Sequence, residues 1–512
     1  MAKRERFSSV DTAWLRMDRP TNLMMIVGVM MFDDSIDIDR LKRVIETRVC
    51  HYPRFRQRVV IEATGAYWED DERFDIDAHV KRVALRSHGG RVELQNMVAK
   101  LATTPLDPAR PLWQFLLVEN YGRGCAMIGR IHHCIADGIA LMGVLLSMTD
   151  ESPDAARPVA EASENDGEED GADVFQQLLA PLAGAVSGAL EMSGTLWQKS
   201  RALLSNPGQA LDYARIAGSA TVELVQLATM PDDTPTRFKG KPGTAKRVAW
   251  SDPMPLAEIK TVGKALGCSV NDILLSSVSG ALREYLVRKG DPVDGVELRA
   301  LVPVNLRSPD AEEKLGNRFG LVALVLPVGI EHPIKRLYTV KLRMDELKSS
   351  YQAPVTLGLL GAAGLLPRQV QQQVLDYLAD KATAVMTNVP GPQKPLYLAG
   401  ARMAQIMVWV PQSGDIGLGV SILSYNGAVQ FGLITDRKFV PDPATIVDQF
   451  RPEFEKIVYT LLMAPWEEAR QAVMADRLDV AAKPSAATRP AKSRVRGKTP
   501  RKTKAKVKID PR

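Results

Sequence analysis

Two of the six histidines in this sequence are adjacent, in the run His132-His133-Cys134-Ile135-Ala136-Asp137-Gly138. A neutral imidazole, with an ordinary pKa of about 6.5, can take a proton from a hydroxyl that would not release it unaided at neutral pH. Holding such a ring at the edge of a cleft needs a stiff support and a sharp turn. A strand ending in His, a short loop and Gly before a helix would supply both. Gly138 frees the backbone to turn and leaves room for a bound molecule. With this composition, His-His-x-x-x-Asp-Gly arises by chance in on the order of 10⁻³ chains or fewer. The competing reading is a pair of packed, hydrogen-bonded histidines with Asp137 as a helix cap. His133 is the expected base and His132 its support.

Other residues near this run fit the same chemistry less well. Cys134 invites a thiol-nucleophile reading, but neighbours on a strand or turn point apart, so it is not expected to act with His133. Asn271-Asp272 follows Ser269, and Ser269-x-x-Asp272 also reads as a capping box. The run Asn388-Val389-Pro390-Gly391-Pro392 reads as a strand ending in a rigid turn. There is no phosphate-binding glycine loop, no set of metal ligands and no serine-centred nucleophile elbow in the sequence.

The elements that must position these residues are of mixed α/β type. An apolar run at 24–32 reads as a buried strand, and strands at 113–118 and 125–131 flank a turn at 120–124 that leads into the histidine pair. The segment 139–148 has the apolar density of a buried helix. A second α/β unit begins near Arg247. Its helix carrying Leu256, Ile259, Val262 and Leu266 is closed by Gly267, and Ser269 opens the next. Strands are expected at 297–304, 319–328, 383–389 and 403–410. Strands at 419–425 and 428–435 flank Asn426-Gly427, a hairpin signal because both turn positions need positive φ. The Gly-, Ala- and Leu-rich run 353–366 reads as helix core, although small residues could also line an apolar tunnel. A helix at 442–463 closes the unit.

Between these units the composition changes. Residues 151–173 carry nine acids and one arginine, as a solvated linker would. Phe175, Leu178, Leu182, Val186, Leu190 and Trp197 then form an apolar stripe at helical spacing, either core packing or a helix at a lipid entrance. The net charge of +6 is misleading, because residues 483–512 hold twelve Lys and Arg against Asp510 alone. Without that tail the net charge is −5. Such a tail is expected to be disordered, and it could meet an anionic lipid surface, a nucleic acid, or solvent alone. Cys50, Cys125, Cys134 and Cys268 show no disulfide framework or metal spacing, which suits a reducing cytoplasm. No apolar run approaches the roughly 18 residues of a membrane span.

Several segments together resemble the bacterial wax ester synthase/diacylglycerol acyltransferase family, within the CoA-dependent acyltransferases and peptide-synthetase condensation domains. They are Pro111-Leu112-Trp113, the histidine run, Asn271-Asp272, Pro303-Val304-Asn305-Leu306-Arg307, Asn388-Val389-Pro390-Gly391-Pro392 and Ser424-Tyr425-Asn426-Gly427. The opening Ser9-Val10-Asp11-Thr12-Ala13-Trp14-Leu15 matches more loosely, and the likeness runs from about Phe7 to about Met463.

The resemblance implies an α/β fold: two chloramphenicol-acetyltransferase-like α/β sandwich domains facing each other across a substrate channel. The expected divisions are an N-terminal domain at 1–150 with the motif, an acidic linker at 151–173, a helical connector at 174–235, a C-terminal domain at 236–475 and a basic tail at 476–512. It implies direct transfer of a long-chain acyl group from acyl-CoA to a lipid alcohol, diacylglycerol or a fatty alcohol, with acyl-CoA as substrate and no cofactor or metal. It makes His133 the base and His132 supportive. Asp137 becomes a carboxylate turned away from substrate and paired with an arginine, Arg307 first and Arg318 second. Gly138, Asn271, Asp272, Arg307, Asn388, Pro390 and Gly391 lie at or around the site. A cytoplasmic enzyme, peripheral on the inner membrane face or on lipid droplets, is the expected setting. The alternatives are a transferase for another lipid or polyketide alcohol, and an inactive protein that binds lipid surfaces.

Overall fold

The computed structural model describes residues 4–154 apart from 64, 87 and 88, residues 229–307, residues 315–463 apart from 349, and single positions at 223–227 and 467–471. Most of the acidic linker, the apolar stripe that follows it and the basic tail lie outside the described residues.

The first half contributes strands β1 (Arg4–Arg6), β2 (Met25–Phe32), β3 (Gln57–Glu62), β4 (Gly65–Asp70), β5 (Val80–Val83), β6 (Trp113–Tyr121) and β7 (Gly124–His132). The second half contributes β8 (Lys246–Trp250), β9 (Met254–Pro255), β10 (Leu298–Asn305), β11 (Phe319–Leu326), β12 (Ala384–Pro390), β13 (Tyr397–Leu398), β14 (Ala401–Trp409), β15 (Leu418–Tyr425) and β16 (Ala428–Asp436). Gly124 starts β7 directly after the tight turn at Gly122, and every residue of β7 is buried. A strand buried on both faces must sit inside a sheet, and β7 does, between β2 and β6.

Two large sheets result. The first has the order β13-β14-β2-β7-β6-β5, and the second runs β11-β10-β12-β15-β16-β8 with β9 beside β16. The halves of the sequence therefore do not coincide with the sheets. β14, from the stretch assigned to the C-terminal domain at 236–475, pairs antiparallel with β2 from Trp409↔Val27 to Met403↔Phe32. The sheets thus cross the division expected from sequence at β13 and β14. Without β14, the apolar β2 would present an unpaired edge of backbone donors and acceptors, which β14 covers. Buried side chains from both halves also mix: Phe319, Leu423 and Tyr425 join Trp14, Ile131 and Ile135 in one apolar cluster.

The local signals explain several elements. Gly267 ends the helix Leu256–Leu266 with φ of +63°, the left-handed cap that costs glycine least. Asn426 and Gly427 take φ of +48° and +74° in the hairpin between β15 and β16. The helix Gln352–Leu365 does form, but of its residues only Ala353, Leu357, Ala363 and Gly364 are buried. That run is therefore a half-covered surface helix and not the core helix its composition suggested.

β10 and β12 are parallel, as are β12 and β15, whereas β11 runs antiparallel to β10. The ends of β10, β12 and β15, at Asn305, Pro390 and Tyr425, therefore lie at one end of the second sheet together with Phe319, the first residue of β11. The loop after β7 meets the second sheet at this end.

Candidate active site

His132 closes β7 and His133 begins the loop that leads to the helix Gly138–Met148. The His133 amide donates to the Met24 carbonyl at 2.7 Å, so the ring is anchored at the first residue beyond the sheet. It is 3% exposed. The Trp14 indole stacks on it with 4.0 Å between centroids and 18° between planes, and Phe319 approaches from another side at 5.5 Å. Burial pushes the imidazole down to about 4, against the upward pull of Asp137 and of the ring's own carbonyl. The free ring is therefore neutral at physiological pH, the form a general base needs.

Asp137 caps the next helix: its Oδ1 accepts the Ala140 amide at 3.0 Å. The same oxygen accepts Nη1 of Arg307 at 2.7 Å, and Oδ2 accepts the Arg318 amide at 3.0 Å. Arg307 also donates from Nη2 to the Gly316 carbonyl at 2.6 Å. The side chain that reaches Asp137 is thus that of Arg307, while Arg318 supplies only its backbone. Every contact of this carboxylate faces the helix start or the segment before β11, so it ties the histidine loop to the second sheet. Gly138 opens the helix without a left-handed φ, so its expected role as a turn residue is not seen. A Cβ there would meet nothing within 4 Å, and the space beside it is open.

His132 faces the other way. Its Nδ1 accepts the Cys134 amide at 3.1 Å, and its Nε2 lies 3.3 Å from Oδ2 of Asp18. Burial opposes a charge on this ring and Cys134 and Asp18 favour one, with the balance upward. A proton on Nδ1 would nevertheless meet the Cys134 N–H head-on, so the geometry fits one proton, on Nε2. Cys134 is fully buried beneath this loop.

A second polar group sits at the same end of the second sheet. Nδ2 of Asn388 in β12 donates to Oδ1 of Asn271, in the first turn of the helix Val270–Arg288, at 2.7 Å. Asp272 forms the capping box: its Oδ2 accepts the Ser269 amide at 2.8 Å and its own amide donates to Ser269 Oγ at 3.2 Å. Ser269→Ala is expected to lower stability by about 1 kcal/mol with KM unchanged. Urea unfolding at the wild-type midpoint would contradict that. After Pro390, the Gly391 amide donates to the Ser424 carbonyl at 2.8 Å, and a Cβ at Gly391 would lie 2.5 Å from that oxygen. The structure thus pairs Asp137 with Arg307 and Asn271 with Asn388, and it places the His132 and His133 rings outside both contacts.

The sequence model for the wax ester synthase/diacylglycerol acyltransferase catalytic domain matches residues 7–274, and that for the family's C-terminal domain matches 315–458. The chain belongs to the wax ester synthase/diacylglycerol acyltransferase family. A Mycobacterium tuberculosis protein named as a diacylglycerol O-acyltransferase is 27% identical over 85% of this chain and 92% of its own length. The wax ester synthase/diacylglycerol acyltransferase of Marinobacter aquaeolei superposes over 90% of this chain and all of that one, with a TM-score of 0.63 at 21% identity. A starter condensation domain of rhizomide synthetase covers 90% of this chain with a TM-score of 0.56 at 12% identity. These two solved structures share the fold, with its two acyltransferase-type α/β sandwiches. Membership makes the protein an acyltransferase, and the histidine loop is the site to which that chemistry is assigned below.

Reasoning from the sequence missed four residues around that loop. Asp11, Trp14, Asn317 and Phe319 touch His133 or each other. The signal available was the opening Ser9 to Leu15, which carries the first two. Asn317 offered none, because its partners are 184 and 306 residues away.

Proposed function

We propose that this chain transfers a long-chain acyl group from acyl-CoA to a lipid alcohol, diacylglycerol first and a fatty alcohol second, with His133 as general base. The observation that carries the reading is a neutral, buried imidazole at the junction of the two sheets, with Asp137 turned aside into the Arg307 contact. A carboxylate so engaged supports the loop and leaves proton transfer to the ring.

In this reading the hydroxyl proton passes to Nε2 of His133 as the oxygen attacks the thioester carbonyl, and the departing CoA thiolate receives it back. No acyl-enzyme forms, consistent with Cys134 lying buried and hydrogen-bonded through its amide to His132. Asn271 and Asn388, bonded to each other, are assigned the far side of the site in this reading. Trp14 and Phe319 cover the ring, so the acceptor reaches it only when one of them moves, and the closed state keeps water from the thioester.

The test is release of CoA thiol from palmitoyl-CoA, with and without diacylglycerol or hexadecanol. Release that depends on acceptor, higher with diacylglycerol, is the expected result. Release that ignores both acceptors, or none with either, would reject the lipid-esterifying reading.

The acceptor is a membrane or droplet lipid, so the protein must work at a lipid surface. Among the described residues no single helix is long and apolar enough to cross a membrane, and the twelve cations at 483–512 supply attraction to anionic lipid, about 1 kcal/mol for each charge at the surface. Deleting residues 483–512 is expected to weaken sedimentation with anionic vesicles, most at low salt, with turnover on dispersed substrate retained. Equal sedimentation of both forms would remove that role.

A further inference from the structure

The base reading leaves Nδ1 of His133 without a side chain in hydrogen-bond contact, drawn by the residue's own carbonyl. In catalytic histidines generally, the nitrogen that does not take the proton is held by a third group, which fixes the tautomer and steadies the charged ring. Asp137, the obvious carboxylate, is committed to Ala140, Arg307 and Arg318.

A different group is in place. Asn317 is 7% exposed, and its Nδ2 donates at 2.8 Å both to the His133 carbonyl and to Oδ1 of Asp11. Both partners only accept, so the amide orientation is fixed: Nδ2 faces them and Oδ1 faces away. Among the described residues, three buried side-chain atoms of this cluster have no hydrogen-bond partner, Nδ1 of His133, Nε1 of Trp14 and Oδ1 of Asn317, and only the last is an obligate acceptor. In a base that receives its proton on Nε2, Nδ1 carries a hydrogen and is a donor, whereas an amide oxygen is an acceptor. Asp11 and Trp14 lie three residues apart on the helix Ser9–Arg16, on one face. One helix therefore backs Asn317 with a carboxylate and lays an indole over the imidazole.

We propose that Asn317, held by Asp11, is the positioning residue for His133: its amide oxygen takes the Nδ1–H as Nε2 receives the substrate proton. The inference rests on His133 being the base. For this the ring shifts under Trp14 until Nδ1 meets the Asn317 oxygen, and the proton count is unchanged, since the Nδ1 hydrogen is donated and not transferred. The charged groups facing the ring fit this assignment. Asp137 and Asn317 both favour the charged ring, and His132 opposes it. Asp11 is itself pushed up by burial and drawn back by Asn317.

The test compares Asn317→Ala, Asp11→Ala, Asp11→Asn and His133→Ala in the full chain. Asn317→Ala is expected to lower kcat about 30- to 100-fold, as loss of an orienting group does, with KM for palmitoyl-CoA within about threefold. Asp11→Ala is expected to lower kcat about tenfold. Asp11→Asn, which keeps the accepting oxygen, should return it to within about threefold of wild type. Nitrogen-15 NMR of histidine-labelled protein, with His133 assigned by its loss in His133→Ala, supplies the readout that general destabilisation would not move. The wild-type ring should carry its hydrogen on Nδ1, and Asn317→Ala should shift it toward Nε2. Wild-type kcat in Asn317→Ala overturns the proposal while His133→Ala remains dead. So does a wild-type tautomer in Asn317→Ala, or an Asp11→Asn no better than Asp11→Ala. Full turnover in His133→Ala would instead sink the base reading beneath it. Should Asn317→Ala not fold, the two Asp11 variants and their ring tautomer decide the matter.

Discussion

His133→Ala is expected to lower kcat by about 10² to 10⁴, the range for loss of a general base, while the folded protein survives. The fold should tolerate it because the residue's structural bond is made by its backbone, from the amide to the Met24 carbonyl at 2.7 Å, and alanine keeps that bond. What the variant loses is the ring between Trp14 and Phe319. That loss leaves a cavity, which costs some stability but breaks no charged network. Circular dichroism and the thermal midpoint check the fold, and acceptor-dependent CoA release checks the chemistry. Turnover near wild type in a well-folded variant would place the base elsewhere. A pH series adds a signed expectation. The ring titrates at about 4 because burial penalises its charge, so kcat/KM should hold on the acid side of neutrality and fall only as pH approaches that value. The folded ring's pKa lies below its unfolded value of about 6.5. The unfolded chain therefore binds the extra proton between those limits, and the stability from this residue is full above about 6.5 and declines as pH falls toward 4.

A ring so easily kept neutral is also a weak proton acceptor, since efficient base catalysis favours a pKa near the working pH. Groups that favour its charged form when the alcohol arrives therefore matter as much as the ring. This part of the site was hardest to read in the sequence. His132, His133, Asp137 and Gly138 announce themselves because they lie within seven residues, at a junction that periodicity alone places between strand and helix. The hairpin at Asn426 and Gly427 and the cap at Gly267 were legible for the same reason: turn chemistry is local. Asn317 is invisible in that way. An isolated asparagine after a glycine is ordinary turn composition, and its worth comes from two acceptors delivered by other elements. The placement of β14 was hidden for a related reason. An apolar strand states that it is buried but not which neighbour buries it, and β14 completes the first sheet although its chain neighbours build the second. Asn271 and Asp272 show the opposite case. They are adjacent in sequence, yet one is fixed as a helix cap and the other turns to Asn388.

Asp137→Ala should damage folding and chemistry together. The carboxylate is 3% exposed and satisfies three donors: the Ala140 amide, the Arg307 guanidinium and the Arg318 amide. Removing it strands a mostly buried arginine, at a cost of about 3–5 kcal/mol for a buried pair broken on one side, and forfeits the helix cap as well. The expected result is a clearly lower urea midpoint with turnover down at least tenfold. Asp137→Asn divides the two contributions. It keeps an oxygen for the Ala140 cap and one for the guanidinium but gives up the charge, so it should recover much of the midpoint and less of the turnover. The physical reason lies in what the pair joins. Arg307 also grips the Gly316 carbonyl at 2.6 Å, one residue before the Asn317 that holds His133. Loosening Asp137 therefore frees Arg307 and residues 316–318, which tie the histidine loop to β11, and the ring loses its setting along with the protein its stability. An Asp137→Ala protein that unfolds at the wild-type urea concentration would show that this contact is ornamental and that the two sheets are held in register by apolar packing alone.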